Sequence, residues 1–498
     1  MTFELRSLVW GLGAVALVAC NGKDEADSDT DLDTDADADA DADADTDTDT
    51  DTDTQTTDTD TALPVTERTD VIPLSPTGID ALYAVVAHPD GGFVAAGVWT
   101  PTPDATADRE MVVARFTDAG DLDAAFGTGG VFRINVVAAG AGELARGVAV
   151  QSTGHIVFAG AVEADPTAQG LAVNDRNVAV VRLNPDGTLD SGFGDGGVTL
   201  LDMGKGMEVV DDLGVASWAG ADAFWWLGVT ATDEIVVSGA TRSPAGGERT
   251  DTDFAVFRLT PTGMPDAAFG KKGLFTLDIE QANASGRNAF VLADGAILVG
   301  GYANTPSFGT VQPVLFKVTP DGDLDQTFAD DGVFHDEVLA EAAEIYAITV
   351  VGGQIVTAGY GRSSEFDSLD WLSLRFDADG KRDFTWGSSG VLQVDVNGFT
   401  DQARNIVALP DGRALIVGAG SLADTFLDGA FGVTEADGTL ASPGAVLHDF
   451  GGISDMMWSA AVSNDERAVA IVGVRGVGST QTDVANDDAT LWLLNVPQ

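Results

Sequence analysis

Three arginines stand at one recurring place in this chain. Arg146, Arg287 and Arg404 each lie at the opening of a short apolar run, and an acid precedes two of them by three residues, Glu143 and Asp401. Asp80 and Asp222 hold the corresponding place in two further runs. Guanidinium forks brought together hold an anion bidentately. The same arginines also suit pairing with the ring of acids. Trp225 and Trp226, with Trp218 shortly before them, cluster at the opening of another such run. Their faces suit stacking on a sugar or anchoring a protein partner, and they suit a core between neighbouring sheets as well. Arg146, Arg287, Arg404, Asp222, Trp225 and Trp226 are therefore the candidate ligand-binding residues.

Other chemistry is hard to place. The histidines are His88, His155, His335 and His448, and no two have metal-ligand spacing. No H-E-x-x-H or G-x-S-x-G stretch is present, so no catalytic constellation is recognisable. Carboxylates are too abundant to single out a glycosidase-like pair. Asn184–Asp190 and Asp377–Asp383 look like shortened D-x-D-x-D-G loops, which bind Ca2+ through oxygen. Thr260–Asp266, however, keeps one carboxylate in the same place, and turn chemistry alone explains Asp-Gly. No metal ligand is assigned, and Ca2+ stays an open alternative.

The elements that must position these residues follow from a repeat. Arg182-Leu-Asn-Pro-Asp-Gly-Thr-Leu-Asp-Ser-Gly-Phe-Gly-Asp-Gly-Gly197 has counterparts at 115–130, 258–273, 317–332 and 375–390. In each copy a basic residue is followed eight positions on by Asp and three later by an aromatic residue. The pairs are Arg115 and Asp123, Arg182 and Asp190, Arg258 and Asp266, Lys317 and Asp325, Arg375 and Asp383. Ion pairs across a turn are expected from them. Phe126, Phe193, Phe269, Phe328 and Trp386 are expected to pack between neighbouring units. Around this stretch, each copy reads as four short β-rich runs bounded by Gly, Pro, Asn and Asp, the pattern of a four-stranded antiparallel meander. Copies begin near Ala81, Ala145, Ala223, Arg287, Ile345, Ala403 and Trp458. The last stops one strand short, and an orphan strand-like piece, Thr69–Leu74, precedes the first. The expectation is an all-β, seven-bladed β-propeller of four-stranded antiparallel blades whose N-terminal strand closes the last blade. An open β-solenoid would not need the orphan.

Ahead of the repeats the chain changes character. Arg6 and the apolar run Leu8–Ala19 form a targeting segment too short to span a bilayer. It ends in Leu17-Val18-Ala19-Cys20, which resembles the lipobox of bacterial lipoproteins. The resemblance implies cleavage before Cys20, the chain's one cysteine, and membrane attachment through lipid on it. Asn21 in place of Asp leans the expectation to the outer membrane of the cell envelope, on its periplasmic or surface face. From Asp24 to about Thr61 Asp alternates with Thr or Ala, a composition that buries nothing and repels itself. The expected organisation is a signal peptide at 1–19, a lipid-anchored disordered linker at 20–62 and the propeller at 63–498.

The 498 residues carry 79 acids against 25 bases, a formal net charge of -54, and 60 acids against 23 bases lie beyond residue 62. Nucleic acid and anionic membrane surfaces need a basic face and are excluded as partners of that surface. The repeat is similar to the bacterial delta-60 repeat family through its DG turns, the Ala-Gly that ends the first hairpin, and RLNPDGTLDSGFGDGG. That resemblance implies a surface or secreted propeller and no established catalytic activity. The leading expectation is a monomeric, lipid-anchored extracytoplasmic module, not an enzyme, that binds or scaffolds a protein or glycan ligand. Its inserted loops lie between second and third strands and between blades, so the loop face is expected to bind. The alternatives are a glycan-acting hydrolase or lyase with acids at the channel mouth, and a calcium-stiffened structural surface protein.

Overall fold

The structure is a computed structural model. It describes residues 65–102, 108–137, 142–163, 176–204, 207–210, 216–219, 222–242, 251–365, 367–396, 398–423, 426–451, 454–476 and 487–496. The targeting segment, Cys20 and the linker lie outside the described residues. The chain divides into two units, Met1–Thr61 and Ala62–Gln498, and every described residue belongs to the second.

The described residues are all-β. β1 (Val65–Ile72) comes first. β2 (Asp80–Ala87), β3 (Phe93–Trp99), β4 (Glu110–Phe116) and β5 (Val131–Ile134) form an antiparallel sheet in chain order. β6 (Leu144–Val150), β7 (Ile156–Glu163), β8 (Arg176–Leu183) and β9 (Val198–Leu201) repeat it. A hairpin, β10 (Met207–Val210) and β11 (Ala216–Ala219), interrupts the series. β12 (Ala223–Val229), β13 (Ile235–Arg242), β14 (Thr252–Leu259) and β15 (Leu274–Leu277) resume it. β16 (Ala284–Val291), β17 (Ile297–Asn304), β18 (Val311–Val318) and β19 (Val333–His335) come after. In the next unit β20 (Ala342–Val351) and β21 (Gln354–Arg362) precede a split third strand, β22 (Asp370–Ser373) and β23 (Arg375–Phe376), and then β24 (Leu392–Val394). Last come β25 (Gln402–Ala408), β26 (Ala414–Ala423), β27 (Phe426–Thr434) and β28 (Val446–His448), then β29 (Ser454–Val462), β30 (Ala468–Gly476) and β31 (Asp488–Asn495).

The free edge of β31 is taken by β1. The two run antiparallel, from Val65 opposite Asn495 to Ile72 opposite Ala489. The orphan piece of sequence therefore completes the terminal sheet. Leading strands touch in succession: β2 lies against β6, β6 against β12, β12 against β16, β16 against β20, β20 against β25, β25 against β29, and β29 against β2. Apolar cores fill the spaces between sheets. Val94, Val113, Phe126, Val148 and Phe158 make one of them, and Leu82, Phe93, Phe116, Ala470 and Leu491 fill the space where first and last sheets meet.

The repeated stretch supplies the fastening. Arg182 and Asp190 pair at 2.6 Å, and Arg258–Asp266, Lys317–Asp325 and Arg375–Asp383 at 2.7 Å. Arg115 and Asp123 are looser at 3.3 Å, with His88 beside the guanidinium. Each wedge aromatic is at most 2 % exposed. The amide after it donates to the next sheet's turn, as Gly194 does to Thr262 O (3.1 Å) and Gly270 to Asp321 O (2.8 Å). The arginines reach the same turns: Arg258 donates to Pro320 O at 2.6 Å and Arg375 to Ala436 O at 2.7 Å. Where β1 closes the sheet, Arg68 takes over, donating to Ala119 O and Asp121 Oδ1 at 2.8 Å each.

Candidate functional site

One irregularity recurs in every leading strand. Its pairing with the second strand slips by one residue, skipping Tyr83, Arg146, Trp225, Arg287, Tyr346, Arg404 and Trp458. Such a bulge re-aims the skipped side chain. A glycine stands opposite each slip. A Cβ on Gly97, Gly160, Gly239, Gly301, Gly359, Gly418 or Gly473 would fall 1.8–2.0 Å from a carbonyl oxygen of the leading strand. Only glycine lets the two backbones approach that closely.

The re-aimed side chains meet one another across the gap between sheets. Aromatic and guanidinium groups alternate around it. Arg146 stacks on Tyr83 (5.2 Å to the ring centroid), Trp225 (4.7 Å) and Trp458 (5.2 Å). Arg287 lies over Trp225 at 4.1 Å and Tyr346 at 5.4 Å. Arg404 lies over Tyr346 at 4.5 Å and Trp458 at 4.8 Å. The alternation fails once, where Tyr83 and Trp458 meet edge to face at 5.2 Å. Trp225 also meets Tyr346 edge to face at 6.0 Å. Cation–π contacts of this kind gain strength as water is excluded. Tyr346 and Arg404 are 7 % and 8 % exposed, whereas Tyr83, Arg146, Trp225 and Trp458 are half-buried, so the ring is more open on the Arg146 side.

The arginines do not share the acids expected beside them. Arg287 pairs with Glu344 at 3.4 Å, a carboxylate the sequence did not single out. Burial opposes the charge on Arg287, but Glu344 and the surrounding tyrosines hold its pKa above the ordinary value. Arg404 donates to Gln402 Oε1. Burial pushes the Tyr83, Tyr302 and Tyr360 hydroxyls up, which keeps them neutral.

The acids fasten backbone instead. Asp80 accepts from Ser75 N (2.8 Å) and Ala489 N (2.7 Å), and Glu143 from Val136 N and Val137 N. Asp222 accepts from Met203 N (2.7 Å) and Thr241 Oγ1 (2.8 Å), and Asp401 from Val396 N (2.7 Å) and Ser421 N (2.9 Å). Each ties the segment arriving from one sheet to the next. Burial, against these hydrogen bonds, raises Asp80 and Asp401 to about 6 and Glu143 and Asp222 to about 7.

The candidate residues thus separate. Arg146, Arg287, Arg404 and Trp225 come together. Asp222, 3 % exposed, holds a loop, and Trp226 packs against the core formed by Val236, Phe254 and Ile297. The Trp218 side chain lies outside the described residues. Tyr83, Tyr346 and Trp458 were missed; a glycine inside each second strand marks the bulge, and each of them stands where Arg146 stands in its own copy. In the calcium-like turns, Asp186 accepts from Thr188, and Asp377 from the amides of Asp379 (3.0 Å) and Lys381 (2.9 Å). Among the described residues, three carboxylate groups bring their oxygens within 4.8 Å of one another: Asp251, Asp253 and Asp278; Asp370, Asp395 and Asp401; Asp428, Asp449 and Asp455.

A family model described as "Domain of unknown function (DUF5122) beta-propeller" matches residues 151–193 and 292–328. Both segments run from the first hairpin turn through the wedge aromatic, Phe193 or Phe328. The fold is a β-propeller. The propeller is similar to a crystallised protein of unknown function from Dyadobacter fermentans, at 14 % identity over 70 % of this chain and 94 % of that one, with a TM-score of 0.40. It is also similar to the RRP9 WD40 repeats, at 9 % identity over 87 % and 99 % of the two chains, with a TM-score of 0.46. A third likeness is Sqt1 from Chaetomium thermophilum, crystallised with the N-terminus of ribosomal protein L10, at 9 % identity, 86 % and 100 % coverage and a TM-score of 0.42. No curated protein matches the chain.

Proposed function

We propose that the protein is a seven-bladed delta-60-type propeller, lipid-anchored through Cys20 in the cell envelope, that binds a protein or glycan ligand on its loop face. The ring of alternating arginine and aromatic side chains carries this reading. A core packed for stability alone has no use for cations at its axis, because charge there costs solvation that leucine would not lose. Each bulged residue stands third to fifth in its strand, no farther than the middle from the end that adjoins the inserted loops. The acids that an enzyme of this shape would use are engaged by backbone amides, which favours binding over turnover.

The test is an array of glycans and peptides probed with the purified full chain. Wild type is expected to retain ligands that Arg146→Gln loses and that Thr327→Lys, on the opposite face, retains. Equal loss in both variants, or no ligand on the array, would reject loop-face binding. Turnover of any panel substrate that Asp401→Asn abolishes would favour the hydrolase reading. Lipid attachment is tested by metabolic labelling with a fatty acid, which Cys20→Ser must abolish, and by protease shaving of intact cells.

A further inference from the structure

We propose that the axial ring is a receptor for a small, singly charged carboxylate, held by the guanidinium groups of Arg146 and Arg404 and by the indole N–H of Trp458. The proposal rests on the loop-face reading above and names the chemistry of its ligand.

Charge points to an anion. Three guanidinium groups meet in the ring, and Glu344 answers Arg287 alone. Among the described residues neither Arg146 nor Arg404 has a carboxylate at ion-pair distance. That is notable in a chain with so large an excess of acids, where a carboxylate was the easiest partner to supply. Unused donors point to an acceptor. Arg404 Nε and Trp458 Nε1 are buried and meet none. Buried donors without acceptors are rare in native proteins, and each asks for a reason. Two such donors on adjoining ring members match the two oxygens of one carboxylate.

Shape and access narrow the ligand. The guanidinium groups of Arg146 and Arg404 lie 4.5–5.2 Å from the ring centroids of Trp225, Tyr346 and Trp458, which is direct stacking contact. Contact this close admits a ligand only from the open edge of the ring, which favours a small, flat group such as a carboxylate. Arg146 stands on the more open side, so it meets the ligand first. The carboxylate pairs with the Arg146 guanidinium and, as Tyr83 and Trp458 give up their 5.2 Å edge contact, reaches Arg404 Nε and Trp458 Nε1. The body of the ligand rests on the half-buried rings of the open side. The acidic surface repels polyanions, so a single charge enters most readily.

Titration of tryptophan emission at constant ionic strength tests this. The probes are glucuronate, benzoate, glucose and sulfate, each added to the full chain. Both carboxylates are expected to change emission saturably, and glucose is not. Arg146→Gln is expected to weaken the carboxylates about tenfold, the scale of one charge-assisted hydrogen bond. Trp458→Phe keeps the ring face, removes the N–H, and is expected to weaken them several-fold with an unchanged melting temperature. Arg404→Lys serves in place of a truncation, which would leave a buried void. No saturable change, sulfate binding as tightly as benzoate, or affinity unaltered in both Arg146→Gln and Trp458→Phe would overturn the proposal. An array ligand that lacks a carboxylate yet needs Arg146 overturns it while loop-face binding stands. Carboxylate binding with an empty array does the reverse.

Discussion

At the residue scale, one basic side chain does two things in each of four consecutive copies, and where it is arginine it does a third. Arg258 pairs with Asp266, stacks on Phe269 at 4.6 Å and donates to the turn of the next blade. Arg182, Lys317 and Arg375 pair and stack in the same way, on Phe193, Phe328 and Trp386. Lysine lacks the fork, and Lys317 lies farther from its ring, at 5.4 Å. Phe193→Ala should therefore cost about 3–5 kcal/mol, because a fully buried ring is lost between two blades. Denaturant unfolding reads it. The glycine that roofs each ring is equally specific. A Cβ on Gly322 would fall 2.2 Å from Gly270 N, whereas one on Gly196 meets nothing within 4 Å, although both have positive φ. Gly196→Ala is expected to cost about 1 kcal/mol for its backbone conformation. Gly322→Ala should cost clearly more, or prevent folding, which expression and melting temperature report. The Arg–Asp–aromatic spacing was legible in the sequence because it repeats inside one chain. The ring was half legible: its arginines share a residue type, while Tyr83, Trp225, Tyr346 and Trp458 share only a position, and similarity of residue type does not reveal position.

At the element scale, strands were legible and their irregularities were not. Glycine and Asp-Gly punctuation marks where runs begin and end. A bulge depends on how two backbones register, which appears in sequence only as a glycine whose partner is elsewhere. β1 is the instructive case. Its pattern of exposure, open at the start and half-buried beyond, is that of an edge strand, and its partner lies at the far end of the chain. Closure also recruits Trp492, whose indole donates to Thr66 Oγ1 at 3.0 Å. Removing residues up to Pro73 would leave β31 with an unpaired edge. The expected result is a lower melting temperature and concentration-dependent self-association, seen by light scattering. Unchanged melting temperature and light scattering would show that the last sheet does not need β1.

At the scale of the whole molecule, buried acids and surplus negative charge act together. Asp80, Glu143, Asp222 and Asp401 titrate near 6–7 when folded, raised by burial from ordinary values near 4. The folded state therefore binds more protons than the unfolded state between about pH 4 and 7, and stability must fall as pH rises through that window. Self-repulsion of the formal charge of -54 has the same sign. Melting temperature should rise from pH 8 to pH 5, and Asp222→Asn should flatten the slope. A melting temperature that falls toward pH 5 would overturn this.

The closing strand also decides how the molecule carries load. The chain reaches the propeller at Val65, opposite Asn495, at the turn-face end of β1, and β1 ends at the loop face. A tether pulling at Val65 against a ligand held at the loop face stretches β1 along its own axis. Every rung from Val65 to Ile72 then bears the strain at once, in shear, instead of parting one after another like a zip. Force spectroscopy with the load applied at Val65 should show a higher rupture force than with the load applied at Ile72. The seam that looks like the propeller's weak point is, when the pull comes through Val65, oriented as its strongest.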